Sequence, residues 1–380
     1  MPMDIAQKAL DLHKKLRGKI RIQPTYDIQS LEDLTLVYSP GVGAVAKAIA
    51  ADPELVKEYT WKQNTVAIVS DGTAVLGFGN IGPDAVMPIL EGKSAIFKRF
   101  SGIDAVPIAL STTDPKRIIE AVEAIAPSFG AIQLEDIAAP ACFEIERELS
   151  ERLSIPVMHD DQHGTAIVVL AGLLNALKVA DKKMGEIRVV MNGAGAAGIA
   201  IARLLTKAGV TDLVMCDRQG AIVEGRDNMN SEKAEIALFT NRQKHTGTLA
   251  DVVGGADVLI GVSAAGSFTA EMIKQMNPKA IVFALANPTP EIMPEEAKAA
   301  GALVVATGRS DFANQVNNAL CYPGLFRGML DSDVIKVTDE IKIRAAEAIA
   351  GFIREPSSDR VIPTMFEDGL HEAVARSVQS

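Results

Sequence analysis

The stretch I-R-V-V-M-N-G-A-G-A-A-G, Ile187 to Gly198, decides the fold. A β-branched strand runs into glycines spaced G-x-G-x-x-G, and I-A-I-A-R-L-L then continues as an apolar helix. The next strand-like run, L-V-M-C-D, closes on Asp217. Strand, glycine turn, helix and a following acid are the parts of a dinucleotide-binding unit: the glycines let backbone approach a pyrophosphate, helix-start amides receive it, and the acid holds ribose hydroxyls. The expected cofactor residues here are Gly193, Gly195, Ala196, Ala197, Gly198, Asp217 and Arg218. Asp217 favours NAD, because a carboxylate there repels the 2′-phosphate of NADP. Arg218 beside it can stack on adenine or pair with that phosphate, which keeps NADP in view.

The same glycine spacing occurs earlier, in G-F-G-N-I-G, Gly77 to Gly82. It has a strand-like approach, T-A-V-L, but Pro83 follows the last glycine and no acid closes the next strand, A-V-P-I-A-L-S. This copy reads as a glycine-rich bend in the wall of a site.

Short β-branched runs alternate with helical spacing from about residue 64 to 306, so the fold class is α/β with mainly parallel sheets. A chain of 380 residues suits two domains. Residues 1–163 are expected to form a βα domain for substrate and metal. Residues 164–310 would form a Rossmann-like, doubly wound nucleotide domain, and the helical residues 311–380 would return to the first. Nine strands are expected: T-V-A-I-V-S, A-V-P-I-A-L, A-I-Q-L-E-D, I-P-V-M-H-D, I-R-V-V-M-N, L-V-M-C-D, D-V-L-I-G-V, A-I-V-F-A-L and A-L-V-V-A-T.

Apolar residues make up 48% and charged residues 23%, ordinary values for a globular chain. The formal charge of −10 and the lack of any basic cluster beyond a doublet argue against nucleic acid as a partner. Cys142, Cys216 and Cys321 form no C-x-x-C pair and read as packing residues of a reducing compartment. The start of the chain has helical rather than continuous apolar spacing, unlike a signal peptide. The longest apolar run, A-I-V-V-L-A-G-L-L, stops at Asn175 and reads as too short for a bilayer. A cytoplasmic protein without membrane contact is the expectation.

Two acidic doublets close expected strands: Glu135-Asp136 after A-I-Q-L, and Asp160-Asp161 after I-P-V-M-H. Ligands of open α/β sheets bind at such carboxyl ends, so both doublets can reach one crevice. Hard oxygen ligands without cysteine suit Mg²⁺ or Mn²⁺. The alternative is that Asp160 and Asp161 cap a helix starting near Q-H-G-T. His159 and His163 flank the acids and read as hydrogen-bonded scaffolding.

Seven ordered motifs now carry a resemblance: L-T-L-V-Y-S-P-G-V, L-E-G-K, Q-L-E-D-I-A-A-P, H-D-D-Q-H-G-T-A, N-G-A-G-A-A-G, A-L-A-N-P-T-P-E-I and Q-V-N-N-A. Over nearly the whole chain they resemble the malic enzymes of the short bacterial and archaeal type. The resemblance implies oxidative decarboxylation of malate to pyruvate and CO₂, reduction of NAD or NADP, and a dimer or larger homo-oligomer. It assigns Lys93 as general base, Glu135, Asp136 and Asp161 as metal ligands, and Asp160 as the partner orienting Lys93. Tyr38 would be the acid that protonates C3 of enolpyruvate, in its own or a neighbouring subunit. Asn287 and Asn318 would serve as amides at the substrate carboxylate and the cofactor.

As a base Lys93 must lose its proton, so a pKa below the ordinary value of about 10.4 is expected. Long-type relatives carry a carboxylate-clamping arginine where this chain has Ala74; Thr73, the amides of Gly77 to Gly82, or Arg99 are the candidates to replace it. Two rival readings are an oxaloacetate decarboxylase without net redox and a nucleotide-sensing module. The combination of acid, base and metal set argues against the sensor.

Overall fold

The computed structural model describes residues 3–75, 77–332 and 334–379. The outermost residues of the expected first and third segments, 1, 2 and 380, and Leu76 of the T-A-V-L approach lie outside them.

Two sheets organise the chain. The first is wholly parallel and joins β1 (Thr65–Ser70), β2 (Asp104–Ala109), β3 (Ala131–Leu134) and β4 (Val157–His159) in the order β2-β1-β3-β4. The second contains β5 (Arg188–Asn192), β6 (Asp212–Asp217), β7 (Gly220–Ala221), β8 (Val258–Gly261), β9 (Ala280–Ala284) and β10 (Ala302–Thr307). Its order is β10-β9-β8-β5-β6-β7, parallel except for β7, and it reverses at β5, where the chain enters the G-A-G-A-A-G turn. Each of the nine expected strands is present. The two-residue antiparallel β7 is additional, while the described residues of T-A-V-L give only an isolated bridge from Val75 to Gly79. Every residue of β1, β3, β8 and β9 is buried. Strands covered on both faces read as continuous apolar runs, which is why they stood out.

Between the sheets lies the helix Asp160–Ala180, which packs on helices Ala196–Lys207 and Asp339–Gly351. It is longer than the sequence reading allowed. Its 21 residues, at mean hydropathy 1.5, would suffice for a bilayer, but most of that window is buried inside the protein. Asn175, which seemed to end the run, turns inward instead: its amide donates to the carbonyls of Ala350 (2.9 Å) and Val361 (3.0 Å) and ties the C-terminal region to the core.

The C-terminal helices Tyr322–Ser332 and Leu370–Gln379 cross closely, and the first also packs on helix Gly82–Ser101. Phe97 meets the rings of Tyr322 and Phe326 at 4.9 and 5.5 Å. The N-terminal region contrasts with all this. Helices Met3–Leu16, Leu31–Val37, Val42–Ala51 and Leu55–Tyr59 have no buried residue among those described. Lys19 pins the segment to helix Gly82–Ser101, its amide donating to Glu91 (3.1 Å) and its ammonium to the Pro88 carbonyl (2.5 Å).

Candidate active site

The parallel register that sets Leu134 beside His159 sends both acidic doublets out of the sheet together. Asp136 has φ +52°, a left-handed conformation that turns its carboxylate back toward the next strand. Its amide donates to Asp161 Oδ2 (2.8 Å), and its carbonyl accepts from the Ala74 amide (2.9 Å). Carboxylate oxygens of Glu135, Asp136 and Asp161 come within 4.8 Å of one another. The N-cap of the following helix is His159, which makes no side-chain cap bond, so neither aspartate serves as the N-cap.

Lys93, halfway along helix Gly82–Ser101, reaches into the same cluster with 13% of its side chain exposed. Its ammonium pairs with Glu135 Oε1 (2.8 Å) and with Asp160 Oδ2, and it lies 4.9 Å from the centre of the Tyr322 ring. Asp160 also accepts from the Asn318 amide (2.6 Å), and Glu135 from the Gln133 amide (2.8 Å). Four acids thus share one ammonium. Burial, reinforced by repulsion from Asp161, raises Asp136 to about 7. Burial also raises Glu135 and Asp160, despite the attraction of Lys93. The lysine departs from its expected direction: burial works against its charge, but Asp160 and Glu135 outweigh that and hold it well above the ordinary value.

Three carboxylates facing one another, two of them buried and Asp161 half-buried, short of positive charge, are a donor set that fits a hard divalent cation.

In the second sheet the three glycines of the turn meet three different demands. A Cβ on Gly193, which has φ +121°, would lie 2.5 Å from the Val262 carbonyl oxygen. One on Gly198 would fall onto the Gly193 carbonyl. One on Gly195 would meet nothing within 4 Å, which leaves open space where the backbone must approach a ligand. Ala196 and Ala197 open the helix behind it. Asp217 ends β6, but its carboxylate is already engaged by Arg226 (2.6 Å), Lys233 (2.7 Å) and the Gln219 amide (2.9 Å). Despite partial burial, these donors hold it below the usual carboxylate range. Arg218 is exposed beside it.

Contacts join the two halves at the site. Asn318, from beyond β10, lies on Asp160, and a Cβ on Gly77 would lie 2.7 Å from the Asn287 carbonyl. The first glycine motif therefore packs on the A-N-P-T loop, with the Asn287 side chain exposed. Tyr38 is not brought to the cluster: it is 67% exposed and touches none of these residues.

Two candidates for the missing clamp are committed elsewhere. The Thr73 hydroxyl donates to Asp71 (2.6 Å) and accepts from the Ala138 amide (2.9 Å), and exposed Arg99 lies over Phe100. Of the glycine-motif amides, those of Phe78, Gly79, Ile81 and Gly82 bond to Val75 and Gly72 carbonyls. The scaffold reading of the histidines holds for His163, which bonds to Glu146 at 2.9 Å. It does not hold for His159, which is fully buried with neither ring nitrogen hydrogen-bonded and Nε2 3.6 Å from Asp161.

Sequence reasoning missed Gln133 and Tyr322, although Gln133 shares a strand face with Glu135 and Tyr322 lies four residues after Asn318. Nothing in the spacing marked Arg226 or Lys233. A cavity of about 580 Å³ behind the site, lined by Arg203, Lys207, Phe239 and Lys342, meets the acid region only through Gln162 and His163.

Residues 17–150 match the family model "Malic enzyme, N-terminal domain", and residues 162–376 match "Malic enzyme, NAD binding domain". A bifunctional malic/malolactic enzyme of Bacillus subtilis is 54% identical over 99% of this chain and 92% of its own length. An NADP-dependent malic enzyme of Halomonas elongata is 46% identical over 96% of this chain and 86% of its own. The crystal structure of an NAD-dependent malic enzyme from Thermotoga maritima superposes with a TM-score of 0.95 at 48% identity, covering 98% of this chain and 99% of that one.

Proposed function

This chain belongs to the malic enzyme family, and on that premise we propose that it oxidatively decarboxylates malate to pyruvate and CO₂ while reducing a nicotinamide dinucleotide. The observation that carries the reading is Lys93 lodged between Asp160 and Glu135, beside acids from two strand tips. Residues 1–163 would hold substrate and metal, 164–310 the dinucleotide, and 311–380 would brace the first segment. The enzyme would work as a homo-oligomer, and its three buried free cysteines accord with a cytoplasmic setting.

Glu135, Asp136 and Asp161 would hold Mg²⁺ or Mn²⁺. The cation would supply a Lewis acid for the C2 oxygen, a sink for the charge left when CO₂ departs, and a field that loosens the Lys93 proton. A bound nicotinamide ring would supply the acceptor for the C2 hydride, while the C2 hydroxyl proton is taken by Lys93. The lysine must first be uncharged, and Asp160, whose carboxyl burial makes more basic, is the acceptor in contact with it. Asn318 steadies that carboxylate from the far side. Tyr38 returns a proton at C3, so the proton lost from oxygen is matched by one gained on carbon.

Asp217 alone would repel a 2′-phosphate, but Arg226 and Lys233 neutralise it and Arg218 adds a further charge. We infer that both NAD⁺ and NADP⁺ serve. Lys233→Ala should lower kcat/KM for NADP⁺ about tenfold more than for NAD⁺, the scale of one lost charged contact; an unchanged ratio would contradict this.

The test is to supply malate and Mn²⁺ with NAD⁺ or NADP⁺, and to follow reduced cofactor, pyruvate and lactate. Equal yields of reduced cofactor and pyruvate are expected. Lactate without reduced cofactor would indicate the malolactic reaction named for the Bacillus subtilis relative. Oxaloacetate decarboxylation with no malate oxidation would overturn the redox reading.

A further inference from the structure

His159 ends β4, directly before the two acids that open helix Asp160–Ala180. Its ring is wholly buried, yet neither nitrogen has a hydrogen-bond partner. Val157 and Met158 fill the core beside it without burying any polar side-chain group. An imidazole sealed from water with no bond is destabilising, and it calls for an acceptor in the working protein. The acceptor within reach is Asp161, whose Oδ2 lies 3.6 Å from Nε2, just beyond hydrogen-bond range. The side chain of Asp161 is 31% exposed and has the freedom to close that gap, whereas the enclosed ring has not.

The turn that carries these residues is braced from behind by Glu146, on helix Ala141–Arg152. Its Oε1 accepts from the His159 amide (2.8 Å), and its Oε2 accepts from the Gln162 amide (3.0 Å) and bonds to His163 Nε2 (2.9 Å). One buried carboxylate therefore grips the chain on both sides of Asp160 and Asp161. In front of the turn, Asp161 Oδ2 already accepts from the Asp136 amide (2.8 Å). A second donor on that same oxygen, from His159, leaves Oδ1 as the oxygen for a cation.

We propose that His159 is a positioning residue for the metal: held in place by Glu146, it donates its Nε2–H to Asp161 Oδ2 and so fixes which carboxylate oxygen binds the cation. The proposal deepens the malic enzyme reading and rests on Glu135, Asp136 and Asp161 as the ligands of the ion. The ring then carries its proton on Nε2, and Nδ1 is left as an acceptor. A carboxylate that swings freely loses rotational freedom when the ion arrives, while one pinned through a single oxygen has lost it beforehand. Donors behind a ligand act on metal affinity in this way without adding a ligand or a negative charge to the site. A ring that merely fills space makes the opposite prediction, that an apolar side chain of similar size serves as well.

The experiment titrates Mn²⁺ into the wild type, His159→Leu and His159→Gln, follows the free ion by electron paramagnetic resonance, and measures kcat and KM on the same proteins. His159→Leu should bind Mn²⁺ about 10–100-fold more weakly, the usual effect of losing a partner behind a ligand. The loss should appear in KM for Mn²⁺ far more than in kcat. His159→Gln, whose amide nitrogen stands where Nε2 stood, should restore most of the affinity. A His159→Leu protein that binds Mn²⁺ as the wild type does, or a His159→Gln protein that falls as far as His159→Leu, would overturn the proposal. Should His159→Leu fail to fold, the imidazole nitrogen resonances of the wild type with Mg²⁺, assigned through His159→Gln, decide the matter: a proton on Nε2 is expected, and Nε2 without one would overturn it. An unaltered Mn²⁺ titration for Asp161→Asn would instead remove the metal assignment on which the proposal rests.

Discussion

Lys93 holds its proton between two carboxylates, and catalysis requires that proton to move. Replacing Lys93 by Ala should lower kcat by about 10²–10⁴ with little change in cofactor affinity; unchanged kcat would remove it as the base. The acids give a prediction in pH. Asp136 titrates near 7 in the folded protein, above an unfolded aspartate. The folded state therefore binds more protons across that interval, and the ion-free protein loses stability as pH rises from about 4 through 7. Mn²⁺ competes with those protons, so it should raise Tm more at pH 8 than at pH 5. An equal rise at both would place the ion elsewhere. At this scale the types and strand-tip positions of the acids were legible, because strand ends can be read from apolar runs. The charge state of Lys93 was not, because it depends on four carboxylates from two strand ends converging on one amine.

Among the elements, helix Tyr322–Ser332 meets Leu370–Gln379 through Gly324 and Gly328. A Cβ at Gly328 would run into the Ala375 carbonyl and lie 2.8 Å from Val378 Cβ. Gly328→Ala should cost about 1–3 kcal/mol by overpacking, read as a lower denaturant midpoint. A neutral result would mean that the helices slide apart freely. Gly198→Ala should abolish dinucleotide binding, measured by quenching or calorimetry, because its methyl has no room against Gly193; retained binding would refute the assignment of the turn. The strands were readable because β9 is apolar throughout and β1 is apolar between Thr65 and Ser70, and the dinucleotide turn because its strand, helix and acid stood in order. β7 escaped because two residues carry no periodicity. The central helix begins at Asp160, before Q-H-G-T, because the acids that looked like punctuation form its first turn.

For the molecule as a whole, the sequence could reveal neither that Tyr38 would stand clear of the cluster nor that the segment around it would bury nothing. Apolar spacing looks alike whether a helix face covers its own core or another chain. Asn318 and Asn287 were singled out through the resemblance, yet only the fold shows them joining the nucleotide half to the acid half, one on Asp160 and the other against Gly77. The central claim is that acids from two strand tips and Lys93 work as one centre on malate. The most direct measurement is malate-dependent formation of reduced cofactor by chelator-treated protein as Mn²⁺ is added back, for the wild type and for Asp161→Asn. Turnover should be absent without the ion and saturate in the wild type at one ion per chain, while the variant should need far more Mn²⁺ or stay inactive. Full turnover in the presence of chelator, or an identical titration for both proteins, would contradict it.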